Sequence, residues 1–118
     1  MRVIVGITGA SGIVLAVELL QRLKNIDTVE THLIITDGGA LTIRDETNFD
    51  VYSINKLADY VYNVHEMDAT IASGTFLTDG MVIVPCAMKT VAGIVTGYSD
   101  NLLLRAADVC IKEKRTLI

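Results

Sequence analysis

Apolar residues recur along this chain with two periods, and their alternation predicts an α/β fold. Continuous β-rich runs at 3–7, 31–36 and 82–84 are typical of strands buried on both faces of a parallel sheet. Between the first two runs, apolar residues at helical spacing predict a helix over 12–23. We therefore predict a doubly wound, Rossmann-like sandwich with a mostly parallel sheet.

Shorter patterns predict the remaining elements, which are helices at 40–44, 54–58, 89–95 and 100–114 and a strand at 60–64. A polar corner at 37–39 precedes the first of these helices, and Ser99 or Asp100 is expected to cap the last. Residues 115–118 read as the start of another strand. Because an unfinished strand leaves an open edge, we expect the sequence to be part of a longer one.

Composition narrows the class of protein. The chain has 118 residues, enough for one domain, and 51% of them are hydrophobic, so we expect some apolar surface to be buried against other subunits. A net charge of −4 without a basic stripe argues against a nucleic-acid partner. No apolar run approaches the roughly 18 residues of a membrane span, and no leader precedes the first strand, which predicts a cytoplasmic protein without membrane attachment.

The cysteines and histidines predict structural roles. Cys86 and Cys110 have neither metal-type spacing nor a disulfide framework, so we interpret both as small hydrophobes in apolar surroundings and expect no metal site. His32 falls inside a strand and is expected to be a satisfied structural residue. His65 falls in a polar connector and is expected to face solvent.

Two loops carry the candidate binding chemistry. Gly9, Ala10 and Ser11 lie between the first strand and the first helix, where glycine lets the backbone approach an anion and the helix supplies N–H donors. Lys89 and Thr90 follow the strand at 82–84. Both loops leave carboxyl ends of parallel strands, so they should share one edge of the sheet. The structural alternatives are a tight turn that binds nothing and a solvated lysine beside a helix-starting threonine.

A third group of polar residues follows on the predicted last helix. Arg105, Asp108 and Lys112 share one helix face, which predicts either an exposed ion-pair stripe or a cationic face bordering a phosphate site. On spacing alone, Glu46 reads as loop charge.

A short-chain dehydrogenase is a rival from another enzyme class. The segment 8–13 imitates its nucleotide loop, and Asp37 ends the second strand where a ribose-binding acid would lie. Tyr52 and Lys56 have the Tyr-x-x-x-Lys spacing but fall too early in the chain, so we interpret them as coincidence.

A series of segments in fixed order is more specific than any one loop. These segments are GITGASG, THLIIT, DETNF, IASGTF, DGMVIVPCAMKTVAGI and YSDNLLLRAADVCIKEKR. Over essentially the whole chain they resemble the UbiX/Pad-type flavin prenyltransferases. The resemblance implies a single flavin-binding domain over 1–118, with the C-terminal part of the family fold missing. It implies an enzyme that transfers a dimethylallyl group from dimethylallyl phosphate to reduced FMN without a metal. The product is the cofactor of UbiD-type aromatic acid decarboxylases.

The resemblance also assigns site residues and partners. It implies FMN binding by Gly9, Ala10, Ser11, Thr36, Ala87, Met88, Lys89 and Thr90, with Ala87 in place of the family's usual serine. It implies a catalytic set around the prenyl phosphate of Ser11, Glu46, Arg105 and Lys112. A homo-oligomer, commonly a dodecamer, is implied, with sites at subunit interfaces and a UbiD-type decarboxylase as functional partner.

Further family site residues, an Arg-Glu pair, a Tyr and another Arg, would follow Ile118, which leaves the activity of these 118 residues open. Three alternatives therefore stay open beside the transferase. They are a non-catalytic FMN-binding subunit of a phenolic or hydroxyarylic acid decarboxylase, an FMN-dependent cysteine-type decarboxylase, and a short-chain dehydrogenase fragment.

Overall fold

Strands and helices alternate along the protein, which a computed structural model describes from Met1 to Ile118. The strands are β1 (Arg2–Ile7), β2 (Glu30–Ile35), β3 (Tyr60–Asn63), β4 (Gly80–Ile83) and β5 (Thr116–Leu117). The helices are α1 (Ile13–Lys24), α2 (Asp37–Glu46), α3 (Val51–Asn55), α4 (Met88–Thr96) and α5 (Leu102–Lys112), with one 3₁₀ turn at Thr70–Ala72.

The five strands form a single parallel sheet in the order β3-β2-β1-β4-β5. In the central register, Val5 of β1 lies opposite Leu33 of β2 and Val82 of β4. This confirms the predicted doubly wound fold and the strand predicted at the end of the chain. Because β2 and β4 leave β1 on opposite sides, the order reverses between β1 and β4. Ligands bind at such a point, beyond the carboxyl ends of the strands.

Two hydrophobic cores cover the two faces of the sheet. Alternate residues of β1 divide between them, with Ile4 in one core and Val5 in the other. The Val5 side is filled from α1, α2 and α3, and the Ile4 side chiefly from α5. The sheet is therefore buried on both faces, as its continuous apolar strands predicted.

Three helix starts differ from their predicted positions. Helix α2 begins at Asp37, because Thr36 caps it by accepting a hydrogen bond from the Gly39 N–H at 3.0 Å. The predicted polar corner is thus the first turn of α2. Gly39 is required there for steric reasons, because a Cβ on it would lie 2.7 Å from the Ile7 carbonyl oxygen.

Two other caps were also missed. Helix α3 spans 51–55 rather than 54–58, because Asp50 and Ser53 form a reciprocal capping box ahead of it. Helix α5 is capped by Asn101, which accepts from the Leu104 N–H, and not by Ser99 or Asp100.

The structural roles predicted for the cysteines and for His32 are confirmed. Both cysteines are free thiols, and burial raises the pKa of Cys86 and of Cys110, so each stays protonated at neutral pH. His32 is buried and hydrogen-bonded to the Tyr62 hydroxyl at 2.9 Å and to the Glu30 carboxylate at 2.7 Å. No helix combines the length and the apolarity that crossing a bilayer requires.

Candidate functional site

A cleft of about 540 Å³ opens at the carboxyl edge of the sheet, beyond the ends of β1 and β4. Its size falls in the usual range for small-molecule sites, roughly 300–1,000 Å³. It is lined by Thr8, Gly9, Thr36, Asp37, Gly38, Val64, His65, Ala87, Lys89, Thr90, Ala92, Gly93, Thr96, Tyr98, Asp100, Asn101 and Leu104.

Glycine allows two walls of the cleft to meet backbone to backbone. A Cβ on Gly9 would lie 2.9 Å from the carbonyl carbon and 3.0 Å from the carbonyl oxygen of Gly38. No side chain fits there, so the loop after β1 packs directly on the first turn of α2. The glycine-rich loop is therefore required by packing, and it leaves backbone exposed to a ligand.

Thr8 ties the loop after β1 to the loop after β4. Its hydroxyl donates to the Pro85 carbonyl and accepts from the Ala87 N–H, both at 2.7 Å, and the residue is 1% exposed. The two loops that carry the predicted binding residues are therefore held in one arrangement. Sequence reasoning did not single out Thr8, although a hydroxyl directly after a buried strand was the available signal.

The helices around the cleft differ in how their first turns are capped. Helices α2 and α5 have side-chain caps, Thr36 and Asn101. The N-cap residues of α1 and α4 are Gly12 and Ala87, and neither provides a side-chain cap. This leaves free N–H groups at the starts of both helices. Free N–H groups and the helix dipole favour an anion. Lys89 is the only Lys or Arg side chain in the lining, and the start of α1 lies outside that lining, so both attractions for an anion lie at the start of α4.

The structure brings together most of the predicted cofactor residues. The lining includes Gly9, Thr36, Ala87, Lys89 and Thr90. Three others lie in the same loops but outside the lining, namely Ala10, Ser11 and Met88, of which Met88 is 79% exposed.

None of the four predicted catalytic residues lines this cleft. Ser11 is exposed beside it, and Glu46 lies at the end of α2 in a separate hollow with Val14 and Phe49. Arg105 and Lys112 are exposed on α5.

The predicted ion-pair stripe on α5 is absent. Arg105, Asp108 and Lys112 are all exposed, and none of them takes part in a salt bridge. The i, i+3 and i+7 spacing placed them on one face as expected, but their charged ends do not meet. The two cations are therefore free to contact other groups.

Asp37, His65 and Tyr98 were not among the predicted flavin-binding or catalytic residues, although Asp37 was weighed as a ribose-binding acid, and all three line the cleft. His65 is exposed as expected, and its Nε2 lies 3.0 Å from Asp37 Oδ2. The signal for His65 was its place in the loop after β3, at the same sheet edge as the other loops. No group of three or more metal-ligating side chains gathers anywhere in the protein.

An open parallel sheet with a switch-point cleft, an uncapped helix start and one lysine is an arrangement typical of proteins that bind phosphorylated cofactors. The chain belongs to the Flavoprotein family, whose model matches residues 1–118. It is 50% identical over 117 residues to the flavin prenyltransferase LpdB of Lactiplantibacillus plantarum, an alignment that covers 99% of this chain and 63% of LpdB. The resemblance to flavin prenyltransferases is thereby confirmed.

Solved structures agree with the fold. The dodecameric FMN-dependent UbiX-like decarboxylase of Escherichia coli O157:H7 superposes with a TM-score of 0.98 at 50% identity, over 99% of this chain and 64% of that one. AnUbiX (PadA1), in complex with FMN and dimethylallyl pyrophosphate, superposes with a TM-score of 0.96 at 44% identity, over 98% and 61%. The chain spans about three fifths of the length of the curated relatives it matches.

Proposed function

We propose that this protein is a flavin prenyltransferase that moves a dimethylallyl group from dimethylallyl phosphate to reduced FMN. The observation that carries the proposal is the cleft itself, with its glycine loop, Lys89 and the uncapped start of α4, on a chain half identical to LpdB. A short-chain dehydrogenase has no support beyond its loop, because Tyr52 lies outside the cleft lining.

The residues present fit FMN. Its phosphate group matches the free N–H groups at the start of α4 together with the ammonium group of Lys89. Gly9 and Gly38 pack backbone to backbone in the lining, where a Cβ on Gly9 would clash, so both present bare backbone to a ligand. Thr36 and Thr90 offer hydroxyls from the facing walls. When bound and reduced, the flavin ring supplies the nucleophile for the allylic carbon.

The proposed roles of the chain's own residues follow from their charges. Arg105 and Lys112 stabilise the negative charge that develops on the prenyl phosphate as its C–O bond breaks. Ser11 holds the phosphate by a hydrogen bond, and Glu46 orients or accepts a proton. Because Glu46 and Lys112 lie away from the cleft of their own chain, we propose that they serve the cleft of a neighbouring subunit.

A homo-oligomer is therefore part of the proposal. Relatives include a dodecameric structure, and the exposed apolar residues of α4, Met88, Val91 and Val95, would be covered by such an assembly. We further propose a cytoplasmic location and a UbiD-type decarboxylase as the protein that uses the product.

Mass spectrometry of the flavin tests the proposed activity. The protein is mixed with reduced FMN and dimethylallyl phosphate under anaerobic conditions, and the mass of the extracted flavin is measured. A flavin heavier by one prenyl unit is expected, and a parallel reaction with dimethylallyl pyrophosphate shows which donor is preferred. Unmodified FMN at saturating donor would contradict the transferase.

One observation favours a second function. The predicted catalytic residues stand outside the cleft, which is what a non-catalytic FMN-binding subunit of a decarboxylase would also show. That function predicts tight FMN binding, no flavin modification, and co-purification with the decarboxylase. The mass spectrum therefore separates the two.

A further inference from the structure

Asp37 and His65 form a pair in the wall of the cleft that the proposed site does not use. Asp37 is the first residue of α2, and His65 follows β3, so the pair joins two separate elements across 3.0 Å. An ionised carboxylate only accepts hydrogen bonds, so the Nε2–H of His65 donates to Asp37 Oδ2.

Stability does not account for this pair. The side chains of Asp37 and His65 are 79% and 68% exposed, and ion pairs as exposed as this contribute little to stability. Asp37 lines the cleft, and its second carboxylate oxygen, Oδ1, accepts no hydrogen bond from the protein.

The charges divide the cleft into two chemically different walls. The wall formed by the start of α4 has free N–H groups and Lys89, and it attracts an anion. The wall formed by α2 and the loop after β3 presents the Asp37 carboxylate, and the first turn of α2 already has Thr36 as its cap. Asp100 is the other acid in the lining, on the turn before α5.

The second wall suits donors rather than anions. A phosphate at Asp37 would meet like charge, whereas a hydroxyl group could donate to the free carboxylate oxygen. FMN carries its phosphate at the end of a polyol, the ribityl chain. A flavin phosphate held at Lys89 leaves these hydroxyls for the opposite wall.

Resting on the proposed function, we propose that Asp37 is a flavin-binding residue that accepts a hydrogen bond from the ribityl hydroxyls. His65 is a positioning residue that fixes the Asp37 carboxylate by holding one of its oxygens. Sugar-hydroxyl recognition by an acid near the end of the second strand has precedent in dinucleotide-binding folds.

Three flavins that differ in their side chain test this assignment by equilibrium binding. FMN has the polyol and the phosphate, riboflavin has only the polyol, and lumiflavin has neither. For Asp37→Ala we expect FMN and riboflavin affinities to fall by a similar factor, about tenfold to a hundredfold, with lumiflavin unchanged. Lys89→Met is the matched control, and it should weaken FMN while leaving riboflavin nearly unaffected.

The positioning role of His65 has its own readout. His65→Ala should weaken riboflavin and FMN together, and His65→Gln should restore much of that affinity because its amide still donates to Asp37. Equal loss in both variants would contradict a hydrogen-bonding role. Thermal melts of each variant check that the fold is kept.

Four results would overturn the assignment of Asp37, and one of them would also overturn the proposed function. If Asp37→Ala binds FMN more tightly and riboflavin unchanged, the acid repels the phosphate instead of holding the polyol. If lumiflavin weakens as much as riboflavin, Asp37 contacts the ring. A wild-type protein that binds no flavin at all would overturn the proposed function together with this inference, whereas normal FMN binding by Asp37→Ala would overturn the inference alone.

Discussion

The flavin side of the proposed site and its transfer side are built in different ways. Gly9, Lys89 and Thr90 meet in one cleft of one chain, whereas Glu46 and Lys112 lie apart on its surface. The residues of the first group follow the carboxyl ends of parallel strands, and these ends lie at the same edge of the sheet. The second group lies on helix surfaces, which would meet other subunits in the proposed oligomer. A single chain therefore explains cofactor binding and does not by itself explain group transfer.

The largest expected effect comes from mixing two inactive variants. Lys89→Met and Lys112→Met should each lower turnover by about 10²-fold or more, because each removes a charge that stabilises a phosphate. If Lys112 serves a neighbouring subunit, oligomers assembled from an equal mixture contain both lysines intact at about a quarter of their sites. Flavin mass spectrometry of refolded mixtures measures the recovery.

A pair of variants on the same helix is the control for this mixture. Arg105→Met mixed with Lys112→Met tests whether those two residues belong to the same chain's contribution. Mixtures of Lys89→Met and Lys112→Met that stay as inactive as the separate variants would contradict a shared site.

The next effect concerns the backbone contact inside the cleft. Gly9→Ala should destabilise the protein by about 1–3 kcal/mol, because the new Cβ meets the Gly38 backbone at 2.9 Å and backbone cannot give way cheaply. Gly38→Ala is the matched control across the same contact. Its Cβ would lie 3.5 Å from Gly9 Cα, an ordinary contact, and alanine favours the helix by up to about 1 kcal/mol. Urea unfolding should therefore shift in opposite directions, and equal destabilisation would show that the contact is not tight.

Much of the flavin side was predictable from sequence, and particular residues show why. Buried parallel strands read as continuous apolar runs, and the residues that follow them must share an edge, which placed Gly9 and Lys89 together. Thr8 was missed because its role depends on the Pro85 carbonyl, 77 positions away in the chain. Long-range partners of this kind leave no local pattern.

The helix starts show a different limit. At α2 the glycines read as a turn, but the nearby Ile7 carbonyl requires a residue without a side chain within the helix. Similarly, Asp37 was read only as a strand-end acid, because its contact with His65 joins elements that are separate in sequence. Secondary-structure propensity depends on a residue and its neighbours in sequence. The glycine in α2 and the contact of Asp37 are instead determined by tertiary packing.

A smaller effect is expected at the Thr8 bridge between the two binding loops. Thr8→Val keeps the shape but leaves the Ala87 N–H without its acceptor, which should cost about 1–2 kcal/mol of unfolding free energy. Thr96→Val is the control, since its hydroxyl bonds only carbonyl groups of its own helix, those of Ala92 and Gly93. Comparable losses in the two variants would argue against a special role for the bridge.

The smallest effect lies at the opposite edge of the sheet, away from the cleft. The hydrogen bond from His32, aided by its charge and that of Arg2, lowers the pKa of Glu30. A lowered pKa in the folded state stabilises the protein above the unfolded pKa of about 4.3, and this contribution is lost as pH falls through the folded value. Glu30→Gln should therefore be slightly less stable than wild type at pH 7, and the gap should close in acid. A gap that stays constant from pH 7 to pH 3 would contradict the assignment.

The most direct measurement is a titration of FMN into the wild-type protein and into the Lys89→Met and Lys112→Met variants, with binding monitored by flavin fluorescence. We expect saturable binding of one FMN per chain. Lys89→Met should lower the FMN affinity about tenfold or more, and Lys112→Met should change it little. Absence of saturable binding in the wild type, or equal weakening by both substitutions, would contradict the claim that one chain's cleft holds the flavin.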